Sequence, residues 1–91
     1  MPKFVIERDL PGAGSLSASD LQAIAQKSNE VIDGLAGRAQ WLHSYVTDDK
    51  LFCVYIADDA ASIEEHAQVG GFPCNHVRTV HTTIDPTTAE V

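Results

Sequence analysis

Basic residues are scarce in this sequence. Lys and Arg number 6 against 13 Asp and Glu, which leaves a formal net charge of −7 at pH 7. Phosphate contacts need clustered Lys and Arg, so nucleic acid is not an expected partner. A surface of that sign attracts cations, although acidity also serves simply to keep a protein in solution. Long apolar runs are missing too. The longest, Leu51 to Ala57, is far too short to cross a bilayer, so no membrane partner is expected. The N-terminus runs from Met1-Pro2-Lys3 into Glu7-Arg8-Asp9 with no apolar signal core, from which a cytoplasmic location is expected. Cysteine is confined to Cys53 and Cys74. Two are too few for a disulfide framework, and inside a cell both would be reduced.

Familiar catalytic patterns are absent as well. Gly12-Ala13-Gly14 is too short for a phosphate-binding loop and lacks the residues that should follow it. No Ser-His-Asp arrangement is suggested. Removal of Met1 would leave Pro2 with a free amine, which some small enzymes use as a base; the plainer reading is a removable-methionine signature.

What is present fits one domain over residues 1–91, with a polar tail from about 85. A chain of 91 residues buries only about 60–65% of its unfolded surface, so dimerisation is a common remedy for its marginal stability. Phe4-Val5-Ile6-Glu7 reads as a first strand, and Leu10 to Ser15 as a loop punctuated by Pro11, Gly12 and Gly14. Ser17 with Asp20 has the spacing of a helix start. Leu21, Ile24, Ala25, Ser28, Val31, Ile32 and Leu35 then recur at helical spacing, with Gly37 as the stop. Gln40–Thr47 and Leu51–Ala57 read as strands joined around Asp48-Asp49-Lys50. Asp58 or Asp59 caps a second helix, with Ala60, Ile63, Ala67 and His66 inward, and Gly70-Gly71 then Pro73 end it. His76 to Ile84 is a fourth strand, with Asp85-Pro86 closing it.

This order is the split βαβ pattern of a ferredoxin-like α+β fold, βαββαβ, with two helices on one face of an antiparallel sheet. The crossover rule puts strands one and three at the sheet centre, read here as parallel to each other. For the hairpin, pairs whose numbers sum to 98 set Leu42 against Ile56, Ser44 against Val54 and Val46 against Phe52, a mostly aliphatic face suited to the helices. The other face then carries Val5, Glu7, Trp41, His43, Tyr45, Cys53 and Tyr55. So much aromatic surface seldom stays in water on a monomer, and a second subunit or a ligand should cover it.

That open face is the first candidate site. His43 and Cys53 in proximity suit a borderline divalent metal such as nickel, copper or zinc. His43 beside Glu7, Tyr45 and Tyr55 suits general acid–base work on a small organic molecule enclosed where two open faces meet in a dimer. The plainer reading is a dimer interface in which these side chains only pack. His66 either lends its charge to the end of the second helix or stands at a pocket rim beside the Gly70-Gly71 turn. Cys74-Asn75-His76 puts a thiol and an imidazole on one side of an extended segment, a weak chelation signal. His81 reads as a solvated edge residue.

Four stretches carry a resemblance: Phe4-Val5-Ile6-Glu7-Arg8 with Pro11-Gly12-Ala13-Gly14; Trp41 to Lys50; Cys53-Val54-Tyr55-Ile56-Ala57; and Glu65-His66-Ala67 with Gly70-Gly71-Phe72-Pro73. Together they resemble a family of small bacterial proteins catalogued as a domain of unknown function, which includes a nickel-binding, nickel-responsive member. The resemblance covers nearly the whole chain. It implies a ferredoxin-like fold, a homodimer, and Ni2+ or another divalent transition metal held for sequestration or detoxification. The positions it carries over are His43 with Tyr45, Cys53 with Tyr55, and His66; Cys74 stands where the family has a small residue. With His76 added from the Cys74-Asn75-His76 spacing, the expected metal ligands are His43, His66, Cys53 and His76, with Glu7, Trp41, Tyr45 and Tyr55 lining an organic site if the protein is instead a small dimeric enzyme of monooxygenase or isomerase type. A non-catalytic structural or partner-binding domain is the third reading.

Overall fold

Local chemistry starts each helix. A computed structural model describes residues 1–90, so the last residue of the expected tail, Val91, lies outside the described residues. Ser17 Oγ accepts a hydrogen bond from the Asp20 backbone N–H, and the Asp20 carboxylate accepts from the Ser17 N–H, both at 3.1 Å. This reciprocal pair opens α1, Ala18–Asp33, by satisfying donors that a helix start otherwise leaves free. Asp59 does the same for α2, Ala60–Gly70, by accepting from the Ser62 N–H at 3.0 Å. Gly71 ends α2 in the left-handed region, at φ 69°, where a side chain would be strained. α1 stops one turn earlier than Gly37 suggested, with Gly34 at its C-cap.

Four strands form one sheet: β1 (Lys3–Asp9), β2 (Ala39–Val46), β3 (Lys50–Ala57) and β4 (His76–Val80). Their order is β2-β3-β1-β4 and every pairing is antiparallel. With the two helices on one face, this is a ferredoxin-like α+β fold. β1 and β3 are central, as expected, but antiparallel to each other. A single strand, β2, separates α1 from β3, and the tight β2–β3 turn reverses the chain once more before it reaches the centre. β4 ends at Val80, four residues short of the expected Ile84. A short 3-10 turn at Ala13–Ser15 follows β1, and its loop is pinned to the β2–β3 turn by Gly14 N–H donating to Asp48 O at 3.0 Å. Another 3-10 turn, Pro86–Glu90, occupies the tail. Among the described residues no helix is long and apolar enough to cross a membrane.

The β2–β3 register differs from the expected one. Trp41 pairs with Tyr55, His43 with Val54 and Tyr45 with Phe52, and the ladder shifts between Trp41 and His43. Leu42 is the extra residue of that bulge and is exposed. A slip of one position exchanges the faces of a strand. Cys53, Tyr55 and Leu51 therefore face the helices, while Phe52, Val54 and Ile56 face the open side. Trp41 likewise lies on the helix side, packed against the core. The core is built on Phe4, Ile6, Cys53, Tyr55, Ala57 and Ile63. The same two-residue alternation that buries Phe4 and Ile6 carries Arg8 inward, to 2% exposure.

Candidate functional site

The sheet separates the expected site residues into two groups. On the open side lie Glu7, His43, Tyr45 and His76. On the helix side lie Trp41, Cys53, Tyr55 and His66. The mixed His43–Cys53 cluster expected from the sequence is thus not assembled, and its cause is the bulge at Leu42.

On the open side, the His43 and Tyr45 rings meet edge to face with centroids 5.1 Å apart. Across β1 and β4, His76 is the register partner of Glu7, and His76 Nε2 stands 3.8 Å from Glu7 Oε2. Lys50 Nζ lies 3.5 Å from the same carboxylate oxygen and also binds Asp9. The Lys50 ammonium holds its proton above the usual range because of its hydrogen bond to Asp9, with Glu7 adding to it. His43 and His76 sit on opposite edge strands, separated by three strand spacings, about 14 Å across the sheet, and by two further residues along it. Among the described residues no three His, Cys, Asp or Glu side chains are grouped to hold a metal ion. Cys74 and His76 do not share a side: His76 faces Glu7, while Cys74 packs against the core from the helix side. Burial pushes the Cys74 thiol up, so it is protonated near neutral pH.

On the helix side, His66 is 1% exposed. Its Nε2 is 3.3 Å from Ser28 Oγ, and its Nδ1 is buried with no hydrogen-bond partner. The ring stacks on Phe72 at 5.4 Å and meets Tyr55 at 5.1 Å. Burial, and then the nearby Arg8 cation, push its pKa below the ordinary imidazole value. His66 is therefore neutral at pH 7, and the helix-charge role expected for it does not hold. The Tyr55 phenol is pushed up by burial and stays protonated, although Arg8 opposes that shift.

Beneath α1 there is a cavity of about 170 Å3. Leu21, Ile24 and Ala25 of α1 roof it, and Trp41, Leu51 and Phe72 supply apolar walls. Arg8, Ser28, Cys53 and Tyr55 supply polar atoms. The stripe that recurs at helical spacing along α1 is in large part the roof of this cavity, and Ser28 is the one α1 residue that is buried. Arg8 was missed as a site residue. Its position two residues past Ile6 in a strand of period two was the available signal, hidden by the charged neighbours Glu7 and Asp9.

A family model described as nickel responsive protein SCO4226-like matches residues 4–80. Among solved structures, the crystal structure of SCO4226 from Streptomyces coelicolor A3(2) superposes with a TM-score of 0.76 at 10% sequence identity, covering 90% of this chain and 99% of that one. No curated protein matches the sequence.

Proposed function

The chain belongs to the SCO4226-like family of nickel-responsive proteins, and from that premise we propose that it binds nickel, as a homodimer, at the open face of its sheet, for sequestration or detoxification. The observation that carries this reading is the His76–Glu7 pair, an imidazole nitrogen and a carboxylate oxygen 3.8 Å apart on the open side. Imidazole and carboxylate are donors that divalent nickel accepts, and a small inward movement of both would let them share one ion. Two donors do not complete a coordination shell. A second copy laid against the open face would supply more, with His43 the exposed imidazole available from it. The same face carries half-buried Phe52 and Ile56 beside the exposed ring of Tyr45, apolar surface that a second copy would remove from water. Lys50 stands beside Glu7 and competes for its carboxylate, so nickel binding should strengthen as the ammonium is removed.

The test is retention of metal. Chelator-stripped protein is loaded with nickel at pH 7, desalted, and assayed for bound metal by mass spectrometry beside a Glu7→Gln/His76→Ala variant, with oligomeric state read by light scattering. Stoichiometric nickel in a dimer, lost from the variant, is the expected result. No retained nickel, or nickel held equally by the variant, would reject this site.

A further inference from the structure

We propose that the cavity beneath α1 binds a small organic monocarboxylate with an apolar body, whose charge is met by Arg8. This site lies on the opposite side of the sheet from the proposed nickel site and does not depend on it.

The first support is an uncompensated cation. Arg8 is 2% exposed, and a guanidinium remains charged in a protein. Among the described residues no carboxylate lies within ion-pairing distance of it; the ion pairs there belong to Arg38, Lys50 and His76. What Arg8 has is one neutral acceptor for each terminal nitrogen: Nη1 donates to the Pro73 carbonyl, and Nη2 donates to Tyr55 Oη over a long 3.5 Å. The Phe72 ring lies 5.6 Å from the guanidinium carbon. Five N–H donors are available and a buried cation without a counter-ion is costly, so an anion within reach stabilises the arrangement.

The second support is the shape and lining of the space in front of it. The lining grades from buried Arg8, Cys53 and Tyr55 to half-exposed Leu21 and Ile24 and exposed Val46. The cation is thus at the floor, and the mouth lies between α1 and β2. A cavity of about 150 Å3 with apolar walls holds one benzene molecule, so about 170 Å3 accommodates a body of that size with its acid group. Tyr55 Oη already accepts from Arg8, which leaves the phenol's own proton to donate. A carboxylate on the floor would accept from Arg8 and Tyr55, a charge-assisted pair of donors. An apolar body then covers Leu21, Ile24 and Phe72. A large apolar pocket with a few convergent polar groups is the usual form of a small-molecule site. The net charge of −7 opposes an approaching anion from a distance, but it is screened over roughly 8–10 Å in physiological salt, whereas Arg8 would act at contact.

Trp41 lines the cavity and is the only tryptophan of the chain, so its fluorescence reports on occupancy. Cyclohexanecarboxylate, which is transparent where tryptophan absorbs, is titrated against metal-free protein beside the uncharged cyclohexylmethanol. The acid should shift Trp41 emission saturably, and bind about tenfold or more tighter than the alcohol, the margin expected of a hydrogen-bonded buried charge. Ala25→Phe, which fills the cavity with Arg8 intact, should abolish both responses. Arg8→Met, if its circular dichroism matches the wild type, should bind acid and alcohol alike. Equal affinity of acid and alcohol for the wild type, the lack of a saturable shift up to about 10 mM, or undiminished acid binding by Ala25→Phe would each overturn the proposal. The wild-type contrast decides the matter even if Arg8→Met fails to fold.

Discussion

Acidification from pH 7 to pH 5 should destabilise the metal-free protein through His66. The groups that face this imidazole come from three elements: Arg8 of β1, Tyr55 of β3 and Ser28 of α1. None is an anion near neutral pH, and one is a cation. Burial first, and Arg8 second, lower the folded-state pKa of His66. The unfolded chain takes up its proton as the pH falls through about 6.5, whereas the folded chain does so only at lower pH. Between those two values the unfolded state binds more protons, so stability falls as the pH falls. Above about pH 7.5 both states carry a neutral ring and the effect vanishes.

One proton sets a ceiling on the slope of about 1.4 kcal/mol per pH unit. From about pH 6.5 to 5 the loss is therefore at most about 2 kcal/mol, out of the roughly 5–14 kcal/mol available to a chain of this size. With a urea dependence of about 1–1.5 kcal/mol per molar, the midpoint should move down by as much as about 1–2 M. Urea unfolding of metal-free protein in half-unit steps from pH 5 to 8 reads this directly. His66→Phe is the matched control, since an aromatic ring can keep the stacking on Phe72 but cannot take a proton. It also removes the buried Nδ1 that has no partner. The variant's midpoint should be flatter over the same range by that amount. Parallel wild-type and variant curves would refute the account of His66 as a buried neutral imidazole.

Two further outcomes follow from the local geometry. Ser17→Ala removes one half of the capping pair at the start of α1 and should cost about 1 kcal/mol, read as a drop of about 4–8 °C in the melting temperature. Gly70→Ala would favour the helix by about 1 kcal/mol in isolation, but the new Cβ would overlap the Phe72 ring at Cε2 and Cδ2. Net destabilisation is therefore expected, with displacement of Phe72 from the cavity wall altering Trp41 fluorescence; a stabilised variant would show that Phe72 moves aside freely.

The elements and their order were legible because each has a local cause. The Ser17–Asp20 spacing, the Gly70-Gly71 stop and the Asp48-Asp49 turn act within a few residues, and the structure places them as read. Which face β3 turns inward was not legible. Leu51 to Ala57 is apolar on both parities, so its composition does not distinguish Cys53 and Tyr55 from Phe52, Val54 and Ile56. The choice then rests on β2, where Leu42 and Val46 flank Ser44 on one parity and Trp41, His43 and Tyr45 share the other. The structure keeps Ser44 and Val46 inward and spends Leu42 on a bulge, so that Trp41 also turns inward. A bulge leaves no mark in a two-residue alternation except a break in it, and a break of one residue reverses every conclusion drawn across it.

β1 was the strand that could have settled the matter. Its pairing with β3 has no irregularity, and Phe4 and Ile6 fix its inner parity. Extending that parity by two residues places Arg8 inside, and the register then sets Leu51 opposite Arg8, Cys53 opposite Ile6 and Tyr55 opposite Phe4. A first strand read as Phe4-Val5-Ile6-Glu7 stops one residue short of that position, where the run Glu7-Arg8-Asp9 is charged. A charged residue on the apolar parity of a central strand is the rarer and more informative case: burying it is costly, so the fold must answer it with a partner. Here the protein answers with a carbonyl, a phenol and an aromatic ring, all neutral. The same parity that carries the strand into the core thus also carries a cation into it, which among the described residues meets neutral partners alone.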